Sequence, residues 1–300
     1  GEACILCFNH GNGLADPKLI IRATPRMVRF CAKDTLWKIP IMGTFVANSG
    51  AVPVYRARDH KGKNTRELNA IMFKNVYDAL GRGEMLGIAP EGVSRFLPFM
   101  AKPLKTGPAR MALAAVEKHI AENENYKIKI LPTGITFTHR EKFRSDLCMQ
   151  ARDARRNSAR NSAQFSDGAP CPPQYCESIK VDAAVLDAHG GDVRAAARTL
   201  TASLSEAMEG VTINAPSWEI TRLAMCACRL HRPVGTAANL SQFLMLLRGW
   251  VEVLKSEPKP KSKEARSLDA LRTALGNYQD VLDARGITCE RVGRAAAALA

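Results

Sequence analysis

The sequence predicts an α/β fold over residues 1–150 with a mainly helical part after it, on three observations. Short apolar runs of strand length alternate with helix-period segments through residue 150. Those runs end in turns rich in Gly, Pro and charge, where α/β folds place their sites. From residue 178 onward the apolar periodicity is mainly helical.

Each element follows from its local pattern. Residues 3–8 form an apolar run that stops at Asn9-His10-Gly11-Asn12-Gly13, a sequence built for a tight turn. Residues 18–28 read as a helix leading into a short strand at 27–32. Residues 34–46 carry helical spacing around Trp37, Ile41 and Phe45, interrupted by Pro40. Residues 50–56 read as a strand ending in Arg56. Residues 65–80 predict an amphipathic helix with Leu68, Ile71, Met72, Val76 and Leu80 on one face. A buried strand at 84–89 turns out through Pro90-Glu91-Gly92, and an alanine-rich helix covers 107–119. Residues 127–137 read as a strand broken by Pro132 and Gly134. Further on, helices are expected at 193–208, 219–231, 240–255 and 268–284, with a Lys/Pro-rich loop at 257–263.

Three regions result: a catalytic domain at 1–150, an insertion or linker at 151–173, and a helical C-terminal part at 174–300. The middle region repeats Arg, Asn and Ser and then clusters Gly and Pro, a composition expected of a mobile basic segment.

Charge narrows the partners. With 43 Lys and Arg against 29 Asp and Glu, the net charge is +14 and favours anionic ligands or an acidic membrane face. Aromatics are 6% of residues and nowhere interleave with basic ones as a base-stacking surface requires, so nucleic acid is not expected. Nine irregularly spaced cysteines suit a reducing compartment, and six scattered histidines give no metal-ligand spacing. No apolar run approaches the ~18 residues of a membrane span. The chain opens on a strand without an initiator Met, so it is expected to be a fragment.

Four stretches carry chemistry. His10 and Asp16 lie in one strand-to-helix turn, where Asp16 can orient the imidazole and stabilise its positive charge. That is a general base without a nucleophile of its own, so a substrate hydroxyl has to attack. The plainer reading makes Asp16 a helix cap ahead of Pro17. Arg56 ends a strand and can grip a phosphate. In Pro90-Glu91-Gly92-Val93-Ser94-Arg95, the serine and arginine can donate to an anion, the glycine permits close approach, and the glutamate organises cations or binds a hydroxyl. Lys102 and Lys105 precede a helix N-terminus, which adds positive potential. There is neither a phosphate loop of the G-x-x-x-x-G-K type nor a G-x-S-x-G elbow.

In order and spacing the first three of these stretches, with an apolar wall at residues 131–135, resemble the blocks of the glycerolipid acyltransferase superfamily: N-H-x4-D, G-x-[IV]-x-[IV]-x-R, P-E-G-x-[RS]-[SR] and V-P-[IV]. Here they stand as Asn9-His10 with Asp16, Gly50 to Arg56, Pro90 to Arg95, and Ile130 to Ile135. Five residues rather than four separate His10 from Asp16, which resembles the fungal-type glycerol-3-phosphate/dihydroxyacetone-phosphate 1-O-acyltransferases. Phe143-Arg144-Ser145, Val211-Thr212-Ile213-Asn214-Ala215-Pro216 and Ala227-Cys228-Arg229-Leu230-His231-Arg232-Pro233 are similar to that branch's later segments. Ala89 stands where the family usually has Phe, and Val93-Ser94 where it has Thr-Arg.

The resemblance implies a central mixed β-sheet flanked by helices. It implies transfer of a fatty acyl group from acyl-CoA to the sn-1 hydroxyl of glycerol 3-phosphate, or also dihydroxyacetone phosphate, with no acyl-enzyme, metal or resident cofactor. His10 and Asp16 would be catalytic, and Arg56, Glu91, Gly92, Ser94, Arg95 and Lys105 would hold the acceptor. It further implies membrane spans outside this chain and a place at the endoplasmic reticulum membrane, facing the cytosol. Two alternatives stand beside it: acylation of lysophosphatidate or another lysophospholipid, and a basic membrane-surface module without catalysis.

Overall fold

A computed structural model describes residues 2–13, 15–56, 59–61, 64–137, 147–151, 162–164, 178–231, 240–287, 289 and 292. Strand β1 (Cys4–Phe8) is buried along its whole length, which is why it reads as a continuous apolar run rather than an alternation. Ile5 and Cys7 face a core shared with helices, while Cys4, Leu6 and Phe8 face a second, smaller core on the other side. On one flank β1 pairs in parallel with β4 (Met85–Ile88), then β2 (Val28–Lys33), then β3 (Val52–Val54). On the other flank it pairs in parallel with β5 (Ile128–Phe137), whose far edge takes two antiparallel partners. These are β8 (Ile179–Val181) against residues 128–130 and β6 (Leu147–Ala151) against residues 133–137. Strand β7 (Ser162–Gln164) pairs with β6, so the sheet is mixed.

Helices cover both faces. Helices α3 (Thr65–Gly81), α4 (Gly107–His119) and α6 (Val193–Val211) supply Met72, Val76, Leu80, Leu113, Leu204 and Met208 to the larger core. Helix α1 (Ala15–Ala23) covers the other face through Ile20. A 3-10 turn at Asp34–Lys38 and helix α2 (Met42–Asn48) flank Pro40, so the interruption expected there is present. The short helix α5 (Ala183–Asp187) precedes α6. Helices α7 (Trp218–His231), α8 (Leu240–Lys255) and α9 (Lys263–Ala284) close on a core of their own around Leu244, Leu247, Val251 and Leu254. Among the described residues no helix is long and apolar enough to cross a membrane.

The differences from expectation have local causes. Helix α1 starts and ends earlier than residues 18–28, because Asn12 caps it and the chain must enter β2 at Val28. Ile71 is 67% exposed and leaves the buried stripe of α3 to Met72, Val76, Ala79 and Leu80. Helix α9 begins at Lys263 rather than 268, where Ser262 accepts the Ala265 N–H at 3.1 Å as an N-cap. Of the stretch at 151–173, only Ala151 and β7 are described; its other residues, with Phe143-Arg144-Ser145 and Arg232-Pro233, lie outside the described residues.

Strand β5 also runs unbroken through Pro132 and Gly134. Pro132 falls between the β8 and β6 ladders, so among the described residues no strand on that edge calls for its missing N–H. Gly134 is required by contact: a Cβ there would come within 1.8 Å of the Val211 carbonyl at the end of α6. Gly134→Ala should therefore push α6 off the sheet and cost about 3 kcal/mol. A urea midpoint equal to that of the parent chain would refute this.

Candidate active site

The carboxyl ends of β1 and β4 meet at one turn. Asn9 fastens it to β5 with both ends of its amide, donating to the Ile135 carbonyl at 2.9 Å and accepting the Ile135 N–H at 2.7 Å. This is the task of the fourth sequence block: beyond an apolar wall, it holds the residue beside the histidine.

His10 comes next, one edge of its ring met by Phe8 at a centroid distance of 5.7 Å. Its Nδ1 lies 3.0 Å from Asp16 Oδ2, with the histidine side chain 21% exposed and the aspartate fully buried. An ionised carboxylate only accepts, so Nδ1 carries the proton and Nε2 keeps its lone pair for a substrate. The same Oδ2 accepts the Asn12 N–H at 2.8 Å, while Oδ1 is buried without a hydrogen-bond partner among the described residues. Asp16 thus holds the imidazole and the turn through one oxygen. The cap of α1 is Asn12, whose Oδ1 takes the Ala15 N–H at 3.3 Å. Asp16 sits in the first helical turn, where the helix N-terminus favours its charge. Asn12 is a member of the site that only the turn-forming Gly-Asn-Gly pattern announces.

Glu91 is buried, and both its oxygens are taken by backbone: the His10 N–H at 2.8 Å and the Ala101 N–H at 2.9 Å. The His10 carbonyl accepts the Arg95 N–H at 3.2 Å, so the P-E-G segment clasps the histidine from both sides. Gly92 has φ +70°, and a Cβ on it would come within 3.3 Å of the Lys105 side chain. Lys105 is fastened by its N–H to the Pro90 carbonyl at 2.7 Å. Ser94 Oγ lies 3.8 Å from where a Cβ on Gly13 would sit, which brings the hydroxyl against the His10–Asp16 turn. Ser94, Arg95 and Lys105 are exposed.

The later block Val211 to Pro216 reaches the same place indirectly. Asn214 Oδ1 accepts the Met100 N–H at 2.9 Å and the Ala215 N–H reaches the Pro98 carbonyl at 3.0 Å, so this block fixes the loop that delivers Ala101 to Glu91. Nothing in the isolated motif predicts that route.

Arg56 stands apart from this cluster. It lies just past β3, three strand steps from β1, or roughly 14 Å across the sheet. Its Nε donates to Asp59 Oδ2 at 2.6 Å.

Cys7 lies three residues before His10, yet it is buried, and burial, reinforced by Cys4 and Cys31, drives its thiol well above the ordinary range. It is an apolar filler rather than a nucleophile. Among the described residues no group of His, Cys, Asp and Glu is placed to hold a metal ion.

Comparison with known proteins covers this part of the chain. The acyltransferase family model matches residues 1–136, which contain the His10–Asp16 pair, Arg56 and the whole P-E-G turn. That stretch belongs to the acyltransferase family. Similar curated proteins include glycerol-3-phosphate O-acyltransferase 2 of Saccharomyces cerevisiae, 29% identical over 166 residues, or 55% of this chain and 18% of that protein. Glycerol-3-phosphate O-acyltransferase 1 of the same yeast is 27% identical over 215 residues, covering 69% of this chain and 24% of the relative. An uncharacterized acyltransferase of Schizosaccharomyces pombe is 26% identical over 162 residues, 54% of this chain and 20% of its own length. The matched part of each relative is thus a quarter of its length or less.

Proposed function

We propose that the chain transfers a fatty acyl group from acyl-CoA to the sn-1 hydroxyl of glycerol 3-phosphate, with dihydroxyacetone phosphate as a further acceptor. The observation that carries this is the buried Asp16 carboxylate on His10 Nδ1, which leaves Nε2 as a base in a turn braced by Glu91. The yeast relatives named for glycerol-3-phosphate O-acyltransfer support the choice of acceptor.

The step needs only the protein's own groups. His10 takes the acceptor's hydroxyl proton as the oxygen attacks the thioester carbonyl. The C–O bond forms, the C–S bond breaks, and the proton passes from Nε2 to the departing thiolate, giving ester and free thiol. Asp16 stabilises the imidazolium in between. Arg56 takes the acceptor's phosphate, with Ser94, Arg95 and Lys105 adding donors at the P-E-G turn. Glu91 and Gly92 act by shaping that turn, since both carboxylate oxygens of Glu91 already hold backbone amides. No resident cofactor or metal enters the scheme. The +14 charge supports work on anionic substrates at the cytosolic face of the endoplasmic reticulum membrane, with membrane spans elsewhere in the parent protein.

Thiol release from palmitoyl-CoA tests the reading. Release should require an acceptor, and glycerol 3-phosphate should outrun lysophosphatidate in the same assay; release without any acceptor would defeat the proposal. Arg56→Ala should raise KM for glycerol 3-phosphate at least tenfold, the loss of a charge-assisted phosphate contact worth roughly 1.5–3 kcal/mol. A KM that stays put would remove Arg56 from the phosphate site.

A further inference from the structure

The turn that carries Arg56 is more heavily built than a phosphate contact alone requires. The Asp59 N–H reaches back to the Arg56 carbonyl at 2.9 Å and closes the turn. Asp59 Oδ2 then receives Arg56 Nε at 2.6 Å and pairs with Nη2 as well, so two guanidinium N–H groups converge on one carboxylate oxygen. Both flanks are pinned. Tyr55 exchanges two hydrogen bonds with the Asn69 amide, its N–H donating at 3.0 Å and its carbonyl accepting at 2.8 Å. On the other side His60 Nε2 meets Asp34 Oδ2 at 2.8 Å, with these side chains only 10% and 8% exposed.

This second imidazole–carboxylate pair lies at the end of β2 and takes no part in the chemistry assigned to His10. It lines a cavity of about 390 Å³ together with Trp37, Lys38, Tyr55 and Leu68. Its effect is mechanical: it fixes the backbone immediately after Asp59. The Asp59 carboxylate is therefore presented to Arg56 between anchored flanks at Tyr55 and His60.

We propose that Asp59 is an internal stand-in for the acceptor's phosphate, held on Arg56 in the free protein and displaced when that phosphate binds. The inference rests on the reading that Arg56 receives that phosphate. A tethered carboxylate competes at a high effective concentration, so a weak anion does not dislodge it. A phosphomonoester brings nearly two charges and three acceptor oxygens, and outbids it. A phosphodiester has a single charge, the same as Asp59, and gains no such advantage. Asp59 thereby sets how tightly the site holds a phosphate, and Asp34 with His60 are its positioning residues.

The test compares the parent chain with Asp59→Asn, using glycerol 3-phosphate and its methyl phosphodiester as ligands. Equilibrium dissociation constants and KM are both measured. Removing the competing charge should tighten glycerol 3-phosphate and the diester by the same factor, roughly tenfold, because the pair that must open first is common to both. Asp59→Ser should reproduce the effect without an amide that can refill the guanidinium. In an Arg56→Ala background the Asp59 substitution should change nothing. Weaker or unaltered binding of both ligands in Asp59→Asn and Asp59→Ser would overturn the proposal and leave Asp59 as a support for Arg56. A parent chain whose affinity for glycerol 3-phosphate is unmoved by Arg56→Ala would instead defeat the phosphate-site reading on which it rests.

Discussion

Replacing His10 by alanine is expected to lower acyl transfer by about 10²–10⁴-fold, the worth of a positioned general base. The fold should survive, because the ring is partly exposed and the turn is held by the backbone of residue 10, which alanine keeps. Asp16→Asn separates two roles of the aspartate. Its amide oxygen can still accept from Asn12 N–H and His10 Nδ1, so the geometry persists while the charge that stabilises the imidazolium is gone. Its NH₂ group, however, enters the pocket where Oδ1 is buried without a partner among the described residues, which adds a stability cost of about 1–3 kcal/mol. Asp16→Asn should accordingly lower kcat strongly and the urea midpoint modestly, whereas His10→Ala should lower kcat alone. An acyl-transfer rate for His10→Ala within a few fold of the parent would sink the mechanism.

How far the sequence discloses this site depends on how local each interaction is. The His10–Asp16 pair spans six positions within one turn, so residue types and spacing suffice to suggest it. The alternation of strands and helices is equally legible, because each element's periodicity is its own. What escapes is whatever depends on distant backbone. Glu91 looks like a ligand for cations or hydroxyls because a carboxylate at a strand end invites that reading. Its partners are main-chain amides at residues 10 and 101, which carry no side-chain signature. Gly134 reads as a strand breaker until α6 is seen packed against it. Asp34 and His60 are 26 positions apart, with nothing local to link them. Ile71 is assigned inward by helical period alone, yet the residues that meet the sheet lie one position further round.

Glu91 supplies the second large effect, and the choice of replacement tells what it does. Alanine leaves the His10 and Ala101 amides without acceptors at once, at about 1–3 kcal/mol each. Glutamine is nearly the same size but offers one acceptor oxygen, and its NH₂ confronts the other N–H donor to donor. Either substitution frees the backbone of the histidine that must take the proton, and a shift of about 1 Å is enough to cost on the order of 10²-fold in rate. The loss should fall on kcat, with KM for glycerol 3-phosphate moved far less than by Arg56→Ala, because Glu91 positions the base and Arg56 holds the ligand. Stability should order as parent, then Glu91→Gln, then Glu91→Ala in urea unfolding. Were Glu91 instead a direct contact of the acceptor's hydroxyl, Glu91→Gln would keep the turn intact, raise KM and leave the unfolding midpoint where it was. Measuring kcat, KM and the midpoint on the same two variants therefore decides between a brace and a substrate ligand.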